Sequence, residues 1–365
     1  MVYLSLGSNL GDRFAFLQIA VGMIAYRLGN VPHCSPVYET PAWGFESTPF
    51  LNACIAIETD HSPMEVLSIV LDIERFLGRH RPSDQDGYQA RTIDIDLLFH
   101  DQKVIDNKAL QLPHPRMAQR RFILAPLVDL APDFFHPIAQ QNCATLLKEC
   151  PDPAVIHPHK KTLFPTNPQK YLAVEGLIGA GKTAFAQALA TAINGRLLLE
   201  NFVKNPYLAD FYKSPEKFAL QVETFFLEDR QRQQQHFFAR EEKHPVVADY
   251  TLEKSLLFAQ MNLQEKQLQD YTQRHQEITK RLPVPEGVVY LDVSVDRAGN
   301  NIKHRGRKME EELSTDYLRQ LDKAYTQWQN ATTLPLLVLS TNDMDFVHNK
   351  SDLYRLLYRF FRHHF

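Results

Sequence analysis

The spacing of apolar positions divides the chain into two parts with different predicted elements. In the first part, alternation with a period of two predicts strands, and a period near 3.6 predicts helices. The strands are expected at residues 2–6, 31–39, 50–59 and 92–99, and the helices at residues 12–28 and 63–77. Ser62 and Glu65 make a capping box with Pro63 at the first helical position. Two helices over a mixed sheet of about four strands predict an α+β sandwich.

In the second part, short apolar runs alternate with long helical segments. The strands are expected at residues 171–174, 196–199, 246–248, 288–293 and 334–339, and the longest helices at residues 215–240, 252–279 and 315–331. Such alternation predicts an α/β domain in which a parallel sheet is covered by helices on both faces. Ligands of such sheets bind at the carboxyl ends of the strands.

Prolines crowd the segment between the two parts, namely Pro151, Pro153, Pro158, Pro165 and Pro168. Proline at this density blocks helices and central strands and favours an extended connector. A chain of 365 residues is long enough for two domains. We therefore expect a first domain at residues 1–156, a proline-rich linker at 157–169 and a second domain at 170–365.

Composition limits the functional classes. The chain is 44% hydrophobic and 23% charged, with a formal net charge of −3, as in soluble globular proteins without an electrostatic footprint for nucleic acid. No apolar run reaches the roughly 18–20 residues of a membrane span. The four cysteines form no C-x-x-C pair, so neither a zinc site nor a disulfide framework is expected. The reduced cytoplasm is the simplest location.

The run Val-Glu-Gly-Leu-Ile-Gly-Ala-Gly-Lys-Thr in the second part fits the G-x-x-x-x-G-K-[ST] phosphate loop between a strand and a helix. Glycines such as Gly176, Gly179 and Gly181 let backbone N–H groups turn toward a phosphate at a helix N-terminus. Lys182 can then reach the β- and γ-phosphates, and Thr183 can hold Mg²⁺. The loop therefore predicts an ATP or GTP site.

Two acidic residues mark the last predicted strand of the first part. Strand alternation puts Asp94 and Asp96 on one face, with Cα atoms roughly 6.5–7 Å apart. That spacing suits one or two Mg²⁺ ions that clamp a polyphosphate. An edge strand with an acidic solvent face is the alternative, and the strand alone does not exclude it.

Six segments of the first part occur in a characteristic order: Tyr3-Leu-Ser-Leu-Gly-Ser-Asn-Leu-Gly-Asp12, Tyr38-Glu-Thr-Pro41, Phe50-Leu-Asn-Ala53, Gly78-Arg-His-Arg81, Arg91-Thr-Ile-Asp-Ile-Asp-Leu-Leu-Phe99 and Leu112-Pro-His-Pro-Arg-Met117. Together they closely resemble the 6-hydroxymethyl-7,8-dihydropterin pyrophosphokinases of folate biosynthesis. The resemblance implies a ferredoxin-like fold and the transfer of pyrophosphate from ATP to the pterin's hydroxymethyl group, with release of AMP.

The same resemblance implies roles for the residues at matching positions. Asp94 and Asp96 would bind Mg²⁺. Phosphate contacts would come from Arg79, Arg81 and Arg91, contacts beside the nucleotide from His114 and Arg120, hydrogen bonds to the pterin edge from Thr40 and Asn52, and ring stacking from Phe122. Where the family often has Trp-Gly-Pro, this chain reads Tyr88-Gln-Ala90. We expect the polar loop at 82–87 to be a mobile lid, with Tyr88 in the tryptophan's place or packed in the core.

Carboxylates follow two predicted strands of the second part, Glu200 after the second and Asp249 after the third. Arg305 and Arg307 lie in a cationic loop, which either closes over phosphates or forms a solvated turn. These features occur with Leu199-Glu-Asn201, Tyr212-Lys-Ser-Pro-Glu216, Phe225-Phe-Leu-Glu-Asp-Arg230 and Tyr317-Leu-Arg-Gln-Leu321. The set resembles the deoxynucleoside kinases, and more closely the bacterial deoxyadenosine and deoxyguanosine kinases.

That resemblance implies that Glu200 is the general base for the sugar 5′-hydroxyl as it attacks the γ-phosphate. Arg305 and Arg307, with Lys182 and Mg²⁺, would neutralise the transferring group, and Tyr212 and Glu310 would hold the 3′-hydroxyl. The family usually reads the base with a glutamine, and here Gln221 and Glu223 compete for that position.

Glu223 and Arg230 are seven residues apart and share a helix face, so we expect this pair to read the base. An exposed ion pair is the alternative. The chain reads Asp249-Tyr-Thr251 where many relatives have Asp/Glu-Arg-Ser. Asp249 is expected to orient Mg²⁺ or its waters. Lys254 is expected to be solvated, and the alternative is that it supplies a replacement charge for the missing arginine.

We therefore expect a bifunctional cytoplasmic enzyme that uses ATP with Mg²⁺. It would pyrophosphorylate 6-hydroxymethyl-7,8-dihydropterin and phosphorylate a deoxynucleoside, with a purine such as deoxyadenosine expected, and it would bind neither nucleic acid nor membrane. Family likeness favours a homodimer through the kinase half. The alternatives for that half are a nucleoside monophosphate kinase and a non-catalytic nucleotide-binding dimerisation module.

Overall fold

The computed structural model describes residues 1–79, 89–240, 244–310 and 312–363. It divides into two compact units, of which the first comprises Met1–Pro168 and Leu357–His364 and the second comprises Gln169–Leu356. Arg81, Tyr88 and the loop at 82–87 lie outside the described residues. In the described ranges, no helix combines the length and the apolarity that crossing a bilayer requires.

The first unit is an antiparallel sheet with helices packed on it. Its strands are β1 Val2–Ser8, β2 Asn30–Cys34, β3 Tyr38–Thr40, β4 Phe50–Glu58, β5 Asp94–His100, β6 Ile105–Asp106, β7 Gln111–Leu112, β8 Phe135–His136, β9 Gln141–Asn142 and β10 His157–Pro158. Its helices are α1 Arg13–Arg27, α2 Pro63–Phe76, α3 Arg121–Leu130 and α4 Cys143–Lys148. The main sheet has the order β10-β3-β4-β1-β5, and β2 also pairs with β4.

Local chemistry explains most of these boundaries. The Asp12 side chain accepts a hydrogen bond from the backbone N–H of Ala15 at 3.0 Å and caps α1. The predicted capping box of α2 is confirmed, with the Ser62 N–H donating to Glu65 at 2.7 Å. The single strand predicted at 31–39 is wrong, since it is split into β2 and β3 near Pro36, which has no N–H to donate to a ladder.

The direction of the strands differs from the prediction. Every pairing described for the main sheet is antiparallel, whereas a mixed sheet was expected. Apolar spacing identifies a strand but carries no information on its direction. Short strand β10 lies in the segment expected to be a linker, and its His157 pairs with Glu39 of β3.

The second unit contains a five-stranded parallel sheet. Its strands are β11 Tyr171–Gly176, β12 Arg196–Leu198, β13 Val246–Ala248, β14 Gly287–Asp292 and β15 Leu336–Ser340, in the order β12-β13-β11-β14-β15. Its helices are α5 Lys182–Ile193, α6 Leu208–Lys213, α7 Pro215–Phe238, α8 Glu253–Asn262, α9 Glu265–Thr279, α10 Val295–Arg305 and α11 Thr315–Ala331. The last helix, α12 Lys350–Arg362, begins in this unit, and its residues from Leu357 onward belong to the first unit. The predicted α/β arrangement with a parallel sheet is confirmed.

One predicted helix of this unit is wrong in extent. The segment at 252–279 forms two helices, because Gln264 adopts an extended backbone and caps the start of α9. The break contains neither proline nor glycine, so the sequence carries no strong signal for it. Because of the break, α8 ends at Asn262, whose side-chain amide donates a hydrogen bond to Glu223 in the cavity of this unit.

Candidate active sites

The loop after β11 is shaped by glycines with positive φ, with values of +148° at Gly176, +87° at Gly179 and +88° at Gly181. A Cβ atom at Gly176 would lie 2.7 Å from the carbonyl oxygen of Leu291, and one at Gly179 would lie 2.5 Å from that of Ala298. Only glycine satisfies both the conformation and the close approach. Helix α5 begins directly after the loop, so its N-terminus favours an anion there.

The loop lysine is held inside this turn. The Lys182 ammonium donates to the carbonyl oxygens of Gly176 at 2.7 Å and Leu177 at 2.9 Å. Burial lowers the pKa of Lys182 to about 8, and the nearby Lys254 ammonium lowers it further, while carboxylates such as Glu175 oppose the shift. A phosphate placed in the loop would therefore meet a cation that carries little hydration and gains from a new anionic partner.

A carboxylate and a hydroxyl stand beside the lysine. Thr183 donates from its hydroxyl to Asp249 at 2.6 Å, and the other oxygen of Asp249 accepts the backbone N–H of Glu200 at 2.7 Å. Burial raises the pKa of Asp249, while its hydrogen bonds from Thr183 and Glu200 act in the opposite direction. Mg²⁺ takes oxygen ligands and usually keeps one or two protein ligands besides phosphates and water. Thr183 and Asp249 fit that requirement.

Glu200 lies in a cluster of buried charges. Its Oε1 accepts hydrogen bonds from Arg230, of which the one from Nε measures 2.9 Å, and its Oε2 accepts from the Lys254 ammonium at 2.8 Å. Burial alone would raise the pKa of Glu200, but Arg230 and Lys254 hold it well below its usual range. The expectation that Lys254 is solvated is wrong, since it is 7% exposed and closes this ion cluster.

The alternative of an exposed ion pair between Glu223 and Arg230 is wrong, since both side chains are buried. Arg230 donates instead to Glu200 and to the hydroxyl of Ser255. Glu223 is 2% exposed and accepts from the Asn262 side-chain amide at 2.8 Å. Burial raises the pKa of Glu223 to about 7. Glu223 and Arg230 line one cavity because they share a helix face. Helix periodicity could not predict that Arg230 pairs with Glu200, because Glu200 lies outside α7.

Gln221, the alternative to Glu223 for reading the base, lies on the exposed side of α7. Gln221 is exposed, whereas Val222, Glu223 and Phe226 line the cavity. The helix therefore presents a carboxylate, and not the amide of Gln221, to the interior.

The basic loop after α10 is folded onto an acidic residue. Arg305 donates to Glu310 at 2.6 Å, and Arg307 donates to the other oxygen of Glu310 at 3.5 Å. The Arg307 guanidinium also lies 4.2 Å from the ring centre of Phe202. Burial raises the pKa of Tyr212, and the negative charge of Glu310 adds to this. Two arginines, a carboxylate and a phenol thus meet at one wall.

These residues share one cavity of about 530 Å³. Most residues predicted for a kinase site line it, namely Gly179, Gly181, Lys182, Thr183, Glu200, Tyr212, Glu223, Arg230, Asp249, Arg305, Arg307 and Glu310. Gly176 does not line the cavity, but its positive φ shapes the start of the phosphate loop. Apolar side chains complete the lining, among them Phe211, Phe226 and Phe258. The cavity therefore joins a phosphate-binding end to an apolar compartment with a buried carboxylate.

One buried carboxylate beside this cavity was not predicted. Glu175 is 0% exposed and accepts hydrogen bonds from the backbone and hydroxyl of Thr251 at 2.7 and 2.9 Å. Its other oxygen accepts from the Tyr325 hydroxyl at 2.9 Å. Glu175 thereby connects the start of the phosphate loop to the segment after β13 and to α11. Its signal in the sequence is an acidic residue at the end of an otherwise apolar strand.

In the first unit, Asp94 and Asp96 lie on the same face of β5, opposite Gly7 and Ser5 of β1. Ile95 lies between them and is buried on the other face. Burial raises the pKa of Asp96 to about 7, and the charge of Asp94 adds to this. Both side chains line a small cavity of about 30 Å³, so the alternative of an acidic solvent face is wrong.

Arginines neutralise this pair in part. Arg91 contacts Asp94 at 2.5 Å, and Arg79 pairs with both Asp94 and the buried Glu74. Glu74, which was not predicted, also accepts the backbone N–H of Ile95 at 2.8 Å and so connects α2 to β5. Among the described residues, no group of three or more acidic, histidine or cysteine side chains could enclose a metal. Two carboxylates suffice for Mg²⁺ bound mainly by phosphates and water, so Asp94 and Asp96 fit that ion.

The far end of the same cavity is polar and aromatic. The Asn52 side-chain amide donates to the Thr40 hydroxyl at 2.8 Å, and both residues are buried. The Arg120 guanidinium lies 4.8 Å from the ring centre of Trp43 and 5.6 Å from that of Phe122. Trp43, Phe45 and Phe50 also line this cavity, and no site role was predicted for them. Their signal in the sequence is that Trp43 and Phe45 flank Gly44 in a loop.

Arg120, which was expected beside the nucleotide, contacts the rings of this aromatic wall. His114 does not line the cavity, and its backbone N–H donates to Leu98 at 3.0 Å. Burial lowers the pKa of its ring to about 4, and the charge of Arg120 adds to the effect. The imidazole of His114 is therefore neutral at pH 7.

Two protein-family models match the chain. The model described as 7,8-dihydro-6-hydroxymethylpterin-pyrophosphokinase matches residues 3–132, and the model described as deoxynucleoside kinase matches residues 172–363. A 2-amino-4-hydroxy-6-hydroxymethyldihydropteridine pyrophosphokinase of Porphyromonas gingivalis is 48% identical over 141 residues, which cover 38% of this chain and 95% of that protein.

Relatives of the second unit include deoxynucleoside kinases of two organisms. A deoxyguanosine kinase of Bacillus subtilis is 35% identical over 199 residues, which cover 52% of this chain and 95% of that protein. A deoxyadenosine kinase of Dictyostelium discoideum is 32% identical over 182 residues, with 48% of this chain and 74% of that protein covered.

Proposed function

Because the chain belongs to the hydroxymethyldihydropterin pyrophosphokinase family through its first unit and to the deoxynucleoside kinase family through its second, we propose that it catalyses both reactions. The first would transfer pyrophosphate from ATP to 6-hydroxymethyl-7,8-dihydropterin. The second would transfer the γ-phosphoryl group of ATP to the 5′-hydroxyl of a purine deoxynucleoside. Mg²⁺ is the proposed cofactor of both.

In the first site, the buried Thr40 and Asn52 would bind the polar edge of the pterin, with Phe122 against its ring. The hydrogen bond between the two side chains fixes their orientation before substrate arrives, which reduces the ordering cost of binding. Trp43 and Phe122 both lie near the guanidinium of Arg120, so Trp43 would supply a second aromatic surface.

The carboxylates of the first site, Asp94 and Asp96, would hold Mg²⁺. The ion would supply charge neutralisation along the triphosphate. Arg79 and Arg91 already lie against Asp94, so they are placed to contact phosphate oxygens at the same point, and Arg81 retains the role implied by its motif. His114 and Arg120 would flank the nucleotide, with His114 as a neutral hydrogen-bonding group.

In the second site, the glycine loop and Lys182 would bind the β- and γ-phosphates of ATP, and Thr183 and Asp249 would hold Mg²⁺. The ion would again neutralise phosphate charge. Asp249 also fixes the backbone of Glu200, so the metal site and the acceptor site share one support.

Glu200 would accept the hydrogen bond of the 5′-hydroxyl and take its proton. Its ion cluster keeps the carboxylate ionised and oriented, at the cost of basicity. A strong base is not required, because phosphoryl transfer has a loose transition state in which the attacking oxygen carries little new charge. Arg305 and Arg307 would neutralise the transferring group, and Tyr212 and Glu310 would hold the 3′-hydroxyl.

Glu200, Lys182 and Arg305 line one cavity, and this arrangement is the main support for the second activity. A module that only binds nucleotide has no use for a carboxylate opposite the phosphate loop. Incubating the full chain with ATP and each deoxynucleoside should yield a 5′-monophosphate. Glu200→Gln should lower kcat by about 100-fold or more, since general bases contribute about 10²–10⁴-fold. Unchanged turnover in that variant would remove Glu200 from the role of base.

We further propose a cytoplasmic homodimer, formed through the kinase half, that needs neither nucleic acid nor membrane. The four cysteines, which are free, and the net charge of −3 support this setting. Light scattering on the intact chain should give twice the mass of one chain, and a monomer at micromolar concentration would contradict the dimer.

A further inference from the structure

Glu223 places a carboxylate in the apolar compartment of the second cavity. It lies on α7 between Val222 and Phe226, and all three line the cavity. At 2% exposure, a carboxylate without strong partners pays a large desolvation cost unless a ligand supplies hydrogen-bond donors. Its burial in the cavity that the phosphate loop also lines therefore calls for a ligand with donors.

The partners of Glu223 leave most of its accepting capacity open. Within the described part of the chain, Asn262 is the one residue that hydrogen-bonds its carboxylate, at 2.8 Å. The Tyr271 hydroxyl donates to the backbone oxygen of Glu223 at 3.2 Å and fixes this turn of α7. The nearby Arg230 is committed to Glu200 and Ser255. Since two carboxylate oxygens have about four acceptor sites, Glu223 retains room for two more donors.

Purine bases differ in what they can offer to such a group. Guanine has two adjacent N–H donors, on N1 and on the 2-amino group, at one edge. Adenine has one donor, on N6, beside the acceptor N1. An ionised carboxylate has acceptors only, and two parallel hydrogen bonds to it are stronger and more specific than one.

We propose that Glu223 makes this site selective for guanine by accepting hydrogen bonds from both N1–H and the 2-amino group of the base. This inference rests on the deoxynucleoside kinase activity proposed above and narrows its substrate to deoxyguanosine. The apolar residues around Glu223, among them Phe226 and Phe258, enclose the planar ring and exclude water from these hydrogen bonds.

Deoxyinosine gives the most direct test, because it differs from deoxyguanosine only in lacking the 2-amino group. A hydrogen bond to a charged group is worth about 10- to 100-fold in binding. The wild-type chain should therefore show kcat/KM for deoxyguanosine at least about tenfold above that for deoxyinosine. Equal values for the two nucleosides in the wild type would overturn the inference without any variant.

Glu223→Gln locates the effect. A glutamine amide can pair with O6 and N1–H, which the two bases share, so the ratio should fall close to one. Gln221→Glu is the matched control, since it places a carboxylate on the exposed face of the same helix and should keep the wild-type ratio. Retained turnover of deoxyinosine shows that the variant is folded.

The outcomes separate this inference from the proposed function. If the wild type phosphorylates no deoxynucleoside at all, the proposed function fails. If it phosphorylates both nucleosides and Glu223→Gln keeps a high ratio, the kinase activity stands and Glu223 is not the guanine-reading group. If the variant is inactive on both, the wild-type ratio decides.

Discussion

The ammonium of Lys254 lies 2.8 Å from Oε2 of Glu200, a residue 54 positions earlier in the chain. Arg230 holds the other oxygen of the same carboxylate. The two cations fix the orientation of the Glu200 carboxylate, so the attacking group of a substrate would meet an acceptor that is already held in place.

Lys254→Met should therefore slow the kinase reaction. It removes one of the two contacts that orient Glu200, and misplacement of a reacting group by about 1 Å costs up to about 100-fold. We expect kcat for the deoxynucleoside to fall between about 10- and 100-fold. Lys266→Met, which removes an exposed lysine of α9, is the control. Equal kcat in the two variants would show that Lys254 does not position Glu200.

The phosphate loop predicts a sharp contrast between two glycines. Gly179→Ala puts a Cβ 2.5 Å from the carbonyl oxygen of Ala298 at a positive φ, and should destabilise the second unit by about 1–3 kcal/mol and weaken ATP binding. Gly299→Ala in α10 meets its nearest neighbour, Leu318, at 3.9 Å and should stabilise by up to about 1 kcal/mol. Denaturant unfolding and KM for ATP measure both effects. A neutral Gly179→Ala would mean that the loop is not held as described.

The paired carboxylates of β5 predict loss of the first activity alone. Asp94→Asn or Asp96→Asn should each lower the rate of pyrophosphoryl transfer by about 100-fold or more. Each change removes a carboxylate ligand of the Mg²⁺ that would neutralise the triphosphate. Asp60→Asn, at an exposed site, should have no effect. AMP release from ATP plus the pterin is the measurement. Normal release in both β5 variants would show that these side chains do not bind the metal.

The acidity of Glu223 predicts a pH-dependent preference. Its pKa is raised to about 7, chiefly by burial, so the acceptor-only form is populated as the pH rises through 7. The ratio of kcat/KM for deoxyguanosine over deoxyinosine should therefore increase from pH 6 to pH 8. The charged and titratable groups around it are Arg230 of α7, Glu200 after β12, Lys254 of α8, Tyr212 of α6, Tyr271 of α9 and Tyr317 of α11.

None of the tyrosines in that set titrates between pH 6 and 8, since burial raises the pKa of each. Effects of pH on ATP binding or on phosphoryl transfer cancel in the ratio of two nucleosides. Glu223→Gln should give a ratio that does not change with pH. A wild-type ratio that is flat across this range would contradict the role of the Glu223 carboxylate.

Local features of the chain were predictable from the sequence because neighbouring residues determine them. The capping box at Ser62 depends on residues three positions apart, and strand alternation alone places Asp94 and Asp96 on one face. The phosphate loop likewise follows from glycines within one turn, each needed for a backbone conformation or a close approach.

Partners that are distant in sequence were not predictable in the same way. Glu175 meets Tyr325 across 150 positions, and the fold alone brings them together. Arg230 shares a helix face with Glu223, yet it pairs with Glu200. Helix periodicity relates only residues of the same helix, and Glu200 lies outside α7. Lys254 carries the same signal as any surface lysine, and only the packing of α8 against α7 buries it.

We expect one chain to perform two different transfers from ATP at two separate sites. To test this, the intact protein and MgATP are supplied with one acceptor at a time, and the nucleotide products are quantified. The pterin should yield AMP and a deoxynucleoside should yield ADP, and Asp96→Asn and Glu200→Gln should each remove one product without affecting the other. Loss of both products in either variant, or the same nucleotide product from both acceptors, would contradict the account.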